Sequence, residues 1–249
     1  MRWIGRAIGL FGLSLLAVAW SRAIADDPSK PAGSVDRVLA DWRAKASTIE
    51  SVEVKFRQTT DDKQWGEIRS EGRAILGSPP LALLEMAEIA ADGKVGSIEH
   101  RMIWQARALL FFEMANHRAI RVALEKDLPA APGWLRLPFL YKMTVEDLKR
   151  DYDVELLAED DRKISLSFRP RATPTASRDF RIGLLELDRQ TFLPTRMILT
   201  DEEGRSPRTI VPTSIRLNQV ENTDDLTVPC LDAWSVQEVS GSAARLFLP

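Results

Sequence analysis

The side chains that most often carry out chemistry in proteins are sparse in this sequence. Its two histidines, His100 and His117, lie on separate predicted strands, and its one cysteine is Cys230. Neither histidine has a companion ligand at the spacing of a metal site, and a lone cysteine supports neither an internal disulfide nor a cysteine-based zinc site. The Gly-x-Ser-x-Gly, phosphate-binding glycine-loop and His-Glu-x-x-His motifs are absent. The sequence therefore predicts no catalytic residue, no metal, no cofactor and no enzyme activity.

Carboxylate pairs and overall charge argue against two further classes of function. The acidic pairs fall at predicted turns, where solvated side chains explain them better than a two-carboxylate hydrolase site; they are Asp61/Asp62, Asp160/Asp161 and Asp224/Asp225. The 34 basic and 36 acidic residues give a formal net charge of -2. Because binding to nucleic acid phosphates needs an excess of positive charge, we expect no nucleic-acid partner.

The N-terminus has the pattern of an export signal. Arg2 and Arg6 flank the start of an apolar run over residues 7–19, which is shorter than the roughly 20 residues needed to cross a bilayer. Ala23 and Ala25 supply the small residues of a cleavage site. We predict a signal peptide over residues 1–25 and a flexible leader over residues 26–33, with a retained anchor as the alternative. Without residues 1–25, 31 basic and 36 acidic residues remain, a net charge of -5.

A helix followed by a long series of strands is the predicted organisation. Ser34 can cap a helix whose apolar residues recur at spacings of three and four: Val35, Val38, Leu39, Trp42, Ala46 and Ile49. From Ser51 the pattern changes to the alternation of a strand with one buried face. Further strand-like runs follow up to Val239 with short turns between them, which favours antiparallel neighbours because parallel strands need long crossovers. We predict one domain over residues 34–240 and a tail over residues 241–249.

The predicted fold class is α+β. About a dozen strands present more apolar area than two or three helices can cover, so a sheet of this size is expected to curl. We predict a single strongly curved antiparallel sheet, an incomplete β-barrel, with helices covering its concave face. Such a cup can hold an apolar cavity, and lipid and small-molecule sites favour cavities of that kind.

The apolar stretch over residues 126–143 differs from the strands because Pro129, Pro132 and Pro138 interrupt it. Thr144 and Asp147 then have the spacing of a capping box, which predicts a helix from Thr144 onward. We predict that residues 129–143 form a lid over the cavity. The large apolar residues remain open to two interpretations, ligand wall or filled core; they are Trp104, Phe112, Trp134, Phe139 and Met197.

Five short motifs occur in an order that is more specific than any one of them. Residues 54–59 (VKFRQT) follow the first helix, residues 72–76 (GRAIL) precede Pro79, and residues 200–204 (TDEEG) form a predicted hairpin. Residues 135–152 and residues 165–171 supply a lid-like region and a strand that ends in a proline and a basic residue. This order resembles the LolA/LolB-like family of periplasmic outer-membrane lipoprotein carriers, and residues 135–152 are most similar to a LolA-related branch of undefined role.

The sequence departs from that family at one turn. Asp92 and Gly93 are a rough match to the family's Asp-Gly turn, but Trp104 comes eleven residues later rather than almost at once. For this reason no specific lid-locking arginine is carried over. Arg73 and Arg101 are candidates for that role, with ordinary surface charge as the alternative.

The resemblance implies a cup that holds acyl chains under a helical lid without catalysis. It implies an exported periplasmic monomer that carries lipids or acylated lipoproteins toward the outer membrane as a transport chaperone, with envelope membrane proteins as further partners. An envelope sensor or protein-interaction module on the same fold is the alternative. The residues that we predict to line the lipid-binding site are Val54, Phe56, Trp104, Leu110, Phe112, Met114, Trp134, Leu137, Phe139, Leu140 and Met197.

Overall fold

The computed structural model describes eight ranges of the chain: 33–63, 66–77, 81–105, 108–123, 133–172, 180–201, 206–219 and 234–239. Within them the helices are α1 (Gly33–Ala46), α2 (Gly133–Arg136) and α3 (Val145–Asp151), and two short 3-10 helices cover Met114–Asn116 and Leu137–Phe139. The strands are β1 (Val52–Asp62), β2 (Gly66–Gly77), β3 (Leu81–Ile89), β4 (Val95–Gln105), β5 (Ala108–Glu113), β6 (Arg118–Ala123), β7 (Tyr152–Glu159), β8 (Lys163–Pro170), β9 (Ile182–Asp188), β10 (Pro194–Thr200), β11 (Arg208–Leu217) and β12 (Ser235–Val239).

All twelve strands in the described ranges belong to one open sheet, in the order β12-β6-β5-β4-β3-β2-β1-β11-β10-β9-β8-β7. Two antiparallel meanders, β1 to β6 and β7 to β11, meet where β1 pairs antiparallel with β11. We call this β1/β11 junction the seam. The prediction of a single large sheet is confirmed, and its described strands are mostly antiparallel.

The last strand corrects the prediction of a purely antiparallel sheet. β12 pairs parallel with β6, at the edge of the sheet far from its predecessor β11. A hairpin forces neighbouring strands to run in opposite directions, whereas a longer connection can return the chain in either direction. Since β12 is not joined to its neighbour by a hairpin, alternation within the strand could not reveal its direction.

Alternation along the strands gives the sheet a continuous apolar face, which we call the first face. On β1 this face carries Val54 and Phe56, and the neighbouring strands add Ala74, Leu84 and Trp104, all of them at most 5% exposed. These residues belong to one buried cluster that extends along the sheet to Phe168 and Leu185 at the β7 side. The hydrophobic effect therefore fixes which way each strand faces.

The opposite face, which we call the second face, carries a smaller buried cluster next to charged residues. Its apolar members are Ile75, Leu83, Ile103, Leu110, Phe112 and Ala119, with Met114 and Trp234 packed against them. Four of them form a row across neighbouring strands: Ile75 pairs with Leu83, Leu83 with Ile103, and Ile103 with Leu110. Strands β2 to β5 are thus apolar on both faces in this region, which a strict alternation of apolar and polar residues does not predict.

Helix α1 packs by one apolar stripe, as its spacing predicts. Val38, Leu39, Trp42 and Ala46 are at most 5% exposed and belong to the same cluster as the first face of the sheet. The Trp42 ring meets Phe168 of β8 edge-on, with centroids 6.3 Å apart. The helix begins at Gly33, one residue before the predicted start, a difference within the usual uncertainty of a helix end.

Several predicted features lie outside the described residues. They are the signal peptide over residues 1–25, most of the leader, the tail over residues 241–249, Cys230, Asp224/Asp225, and the first part of the predicted lid with Pro129 and Pro132. Among the residues that are described, no helix combines the length and the apolar character needed to cross a membrane.

One glycine on β2 makes room for an aromatic ring of β1. Gly72 is the cross-strand partner of Phe56, and a Cβ added to Gly72 would lie 2.3 Å from the Phe56 Cζ atom and 2.8 Å from the Met86 sulfur. Real Cβ atoms do not approach other heavy atoms so closely. The absence of a side chain at Gly72 therefore allows the Phe56 ring to occupy the space directly over this residue, where the ring is 1% exposed.

We expect Gly72→Ala to lower the free energy of unfolding by about 1–3 kcal/mol, because the added methyl displaces the Phe56 ring in a well-packed region. Urea unfolding followed by circular dichroism measures this change. Gly96→Ala on β4 is the matched control, since a Cβ there would meet only the Glu88 carbonyl oxygen at 3.3 Å. Equal effects of the two substitutions would contradict the assigned role of Gly72.

Candidate functional site

A small apolar cleft lies on the first face at the seam. Ten described residues line it, and none of them is polar or charged: Val54, Phe56, Trp134, Leu135, Pro138, Phe139, Pro194, Met197, Ile210 and Pro212. They come from β1, β10 and β11 below and from the segment around α2 above. The cleft has a volume of about 30 Å³, far below the roughly 300–1,000 Å³ of a typical small-molecule pocket.

Irregular strand pairing creates the floor of this cleft. The pairing of β1 with β11 shifts register between Lys55 and Phe56, and Phe56 faces Pro212. Pairing of β9 with β10 shifts register between Pro194 and Arg196. Proline has no N–H to donate to a neighbouring strand, so prolines in a sheet collect at such bulges. The two strand prolines therefore mark the place where the sheet is locally irregular.

Residues 133–143, which we call the lid segment, pack on the first face above the cleft. They comprise α2, the 3-10 helix Leu137–Phe139 and the turn that follows. Trp134 meets Phe56 edge-on, with centroids 6.2 Å apart and the ring planes at 81°. Leu135, Leu137 and Phe139 are at most 3% exposed. The lid segment is therefore held mainly by apolar contacts with the sheet.

Polar contacts fasten the end of the lid segment. The Tyr141 hydroxyl lies within hydrogen-bond distance of the Gly77 carbonyl, at the end of β2, and 3.2 Å from the Glu50 carbonyl. Burial raises the pKa of Tyr141, and the nearby Arg136 offsets only part of this effect, so the hydroxyl keeps its proton and donates it. Leu140 and Lys142 have left-handed backbone angles, with φ of 46° and 51°.

The capping box that the sequence predicts is present directly after the lid segment. Thr144 Oγ1 accepts a hydrogen bond from the Asp147 N–H at 3.0 Å, and Asp147 Oδ2 accepts one from the Thr144 N–H at 3.2 Å. The bonds from the Thr144 backbone and side chain keep the pKa of Asp147 below its ordinary value. The capping box thus fixes where helix α3 begins, directly after the last residue of the lid segment.

The structure brings together five of the eleven predicted lipid-binding residues. Val54, Phe56, Trp134, Phe139 and Met197 line the cleft. Trp104, Leu137 and Leu140 belong to the same buried cluster but do not line the cleft. Leu110, Phe112 and Met114 lie on the second face, away from the other eight.

Five residues of the cleft are not among those predicted from the sequence: Leu135, Pro138, Pro194, Ile210 and Pro212. Two of these residues carry a signal in the sequence: Pro194 starts a strand and Pro212 lies within one. A proline at such a position indicates a bulge or an edge strand. The prediction places Leu110 and Phe112 at the same site as the cleft residues because β5 is apolar on both faces. Its composition does not show which of its residues face the cleft.

A larger cavity of about 280 Å³ lies near the start of β7, and its walls are mixed rather than apolar. The cavity is lined by Val35, Leu39, Lys149, Tyr152, Asp153, Val154, Glu155, Ser167, Arg169 and Arg171. Lys149 Nζ already pairs with Asp36 Oδ1 at 2.7 Å, and Arg171 Nη2 pairs with Asp153 Oδ1 at 2.6 Å. Despite its greater volume, this cavity is less suited to an apolar ligand than the cleft, because such a ligand would desolvate these charges.

A charge ladder crosses the seam on the second face, behind the cleft. It runs through Arg216 of β11, Glu53 of β1, Arg73 of β2, Glu85 of β3 and Arg101 of β4. Arg73 Nε is 2.8 Å from Glu53 Oε1, and Arg101 Nε is 3.4 Å from Glu85 Oε1. Arg73 and Arg101, the two lid-lock candidates, therefore bind neighbouring strands on the face opposite the lid segment.

Glu53 is the member of the ladder that joins the two meanders. Its side chain is only 6% exposed and contacts Arg73 in one meander and Arg216 in the other. Burial raises the pKa of Glu53, but hydrogen bonds and charge interactions with Arg73 and Arg216 outweigh burial and leave the pKa below its ordinary value. The ion pairs therefore stabilise the folded protein when Glu53 is ionised.

We expect Glu53→Gln to lower the free energy of unfolding by about 1–2 kcal/mol near neutral pH, since two arginines lose their anionic partner. Because the folded pKa is depressed, the stabilisation is complete above the unfolded pKa and is lost as pH falls through the folded one. Urea unfolding at several pH values should show the difference from wild type shrinking in acid. Glu155→Gln removes a charge at an exposed position and serves as control; a pH-independent difference for Glu53→Gln would contradict this account.

We expect Tyr141→Phe to lower the free energy of unfolding by about 1 kcal/mol and to loosen the lid segment, because the donor to Gly77 and Glu50 is lost. Fluorescence of an added apolar dye should rise under native conditions as the cleft opens more often. Thr195→Val removes another side-chain bond to a carbonyl, at an exposed site, and should leave dye fluorescence unchanged. No rise with Tyr141→Phe would show that the hydroxyl does not restrain the lid segment.

Comparison with known proteins gives structural neighbours only. No protein-family model matches the sequence, and no curated protein matches it either. An uncharacterized conserved protein from Thermus thermophilus is 10% identical, with a TM-score of 0.48, and the match covers 83% of this chain and 99% of that one.

Two further neighbours are the LolA superfamily protein NE2245 from Nitrosomonas europaea and MucB in the MucA/MucB complex of Pseudomonas aeruginosa. The first is 13% identical, with a TM-score of 0.38 and coverage of 76% of this chain and 97% of that chain. The second is 17% identical, with a TM-score of 0.39 and coverage of 77% and 61%. At these values each likeness concerns the fold alone.

Proposed function

We propose that this protein is a non-catalytic binder and carrier of acyl chains, from lipids or acylated lipoproteins, and that the cleft under the lid segment is its binding site. The observation that carries the proposal is the chemistry of the cleft. Its described lining offers apolar contacts alone, without a titratable group that could act as acid, base or nucleophile. An acyl chain is the biological ligand that needs no polar partner along most of its length.

The closed cleft is too small for such a ligand, so binding requires the lid segment to move. Each methylene group of an acyl chain gains about 0.8 kcal/mol on burial, so about eight of them gain roughly 6 kcal/mol before the costs of association. The apolar residues of the lid segment and the acyl chain compete for the same surface of the sheet. This competition allows the ligand to bind and to be released, as a carrier requires.

The C-terminal end of the lid segment suits a hinged movement. The capping box fixes Thr144, and the left-handed residues Leu140 and Lys142 precede it. Non-glycine residues in this conformation store backbone strain, and a change of their angles would swing the preceding residues away from the sheet. In this proposal the helices cover the concave face of a curved sheet, and the lid segment is the part of that cover that opens.

The proposed setting is the periplasm, where the signal peptide of residues 1–25 would direct the chain. The proposed form is a monomer, with the acyl chains of lipids or lipoproteins as ligands and envelope membrane proteins as further partners. A sensor or interaction module that uses the same cleft for a protein segment is the alternative, and the test below separates the two.

Quenching by a brominated fatty acid tests the proposal directly, since bromine quenches tryptophan fluorescence only on contact. We expect such an acid to quench wild-type fluorescence in a saturable way. Trp134→Phe should remove most of this quenching, because Trp134 lines the cleft. Trp42→Phe is the matched control and should retain the quenching, because Trp42 packs against Phe168 instead.

Two outcomes would contradict an acyl-chain binder. One is the absence of saturable quenching in the wild-type protein, together with native mass spectra that contain no bound acyl species after mixing with the acid. The other is equal quenching in the Trp134→Phe and Trp42→Phe variants, which would indicate binding elsewhere. A native mass spectrum that shows only the unliganded protein would favour the interaction module.

A further inference from the structure

The first face continues beyond the cleft as a half-buried patch of flexible apolar side chains. Met86 of β3, Met102 of β4 and Phe111 of β5, which we call the methionine patch, are partly buried and pack against the main cluster. Met102 is the cross-strand partner of Phe111, and Met86 is the partner of His100, two residues before Met102. Unbranched thioether side chains adapt to irregular apolar ligands, so they recur at surfaces that accept varied partners.

The methionine patch is continuous with the wall of the cleft. The Phe56 ring and the Met86 sulfur both lie within 3 Å of the point where a Gly72 Cβ would be. Phe56 also lines the cleft, whereas Met86 is the cross-strand partner of Gly72 on the next strand. Since Gly72 carries no side chain, no side chain of β2 lies between Phe56 in the cleft wall and Met86 in the patch.

Polar groups lie at the far end of the patch. The His100 ring stacks on Phe111, with centroids 5.5 Å apart and planes at 25°. His100 is exposed, and its cross-strand partner on β5 is Glu113. The first face therefore changes from a wholly apolar cleft at the seam to a polar boundary beside β5.

We infer that a long acyl chain lies across the strands with its methyl end in the cleft, passes over Phe56 and Gly72, and reaches the methionine patch with its polar end at His100. This inference rests on the proposed function and adds the path and the direction of the chain. From Phe56 of β1, which lines the cleft, to Phe111 of β5 the path crosses four strand spacings, roughly 19 Å in a flat sheet at about 4.8 Å each. The cleft itself extends from β1 in the opposite direction, toward β10.

Two fatty acids that carry bromine at different depths test the direction. One is brominated near the methyl end and the other near the carboxyl end. Trp134 reports on the cleft, and a Phe111→Trp reporter, made in the Trp134→Phe background, reports on the patch. We expect the methyl-end bromine to quench Trp134 more strongly and the carboxyl-end bromine to quench the Phe111→Trp reporter more strongly.

The outcomes distinguish this inference from the proposed function. If Trp134 is quenched but the Phe111→Trp reporter responds to neither acid, the path is wrong and the binder survives. The same holds if the two reporters prefer the same bromine position. If neither reporter is quenched, the proposed function fails as well.

A second variant keeps the test valid if the reporter substitution disturbs the fold. We expect Met102→Gln to weaken binding of a long-chain fatty acid by about tenfold and to leave binding of a short-chain acid unchanged, because only the long chain reaches the patch. Ile98→Gln, at a 40% exposed position of the same strand, should change neither affinity. Equal loss for both chain lengths, or no loss for either, would overturn the inferred path.

Discussion

The contact between Phe56, Gly72 and Trp134 is the interaction on which the rest of the site depends. Because Gly72 has no side chain, the Phe56 ring can lie on the sheet at the seam, where Pro212 leaves the strand pairing irregular. Trp134 then meets the ring from above, which positions the lid segment. The absence of a methyl group at Gly72 thus determines where the Phe56 ring lies. The position of this ring in turn determines where Trp134 packs and how much space remains between the sheet and the lid segment.

The two faces of the sheet have complementary roles at the seam. On the first face, register shifts and strand prolines interrupt regular pairing beside the apolar cleft. On the second face, Glu53 holds both meanders together through Arg73 and Arg216. A buried carboxylate between two arginines resists separation of the two meanders, so the sheet would stay intact during the lid movement that we propose.

The lid segment combines strong apolar packing with a defined end. In the function we propose, an acyl chain buries apolar surface against the sheet as the lid side chains do, so lid closure and ligand binding would compete. Tyr141 and the Thr144 capping box add directional bonds at one end of the lid segment, and these bonds would restrict the proposed opening to a hinged movement. The mixed cavity near β7 lacks this arrangement, since ion pairs occupy its rim.

The sequence by itself determined much of the local structure. The stripe from Val38 to Ala46 specified α1, the alternation in β1 specified its buried face, and Thr144 with Asp147 specified the start of α3, because each depends on residues close in the chain. Five of the residues predicted to line a lipid site, among them Phe56 and Trp134, lie together in the cleft. Only the tertiary structure decided that Leu110 and Phe112 face away from the cleft, that Pro194, Pro212 and Ile210 line it, and that β12 runs parallel to β6. These facts depend on register and pairing between strands far apart in sequence, which periodicity within one strand does not encode.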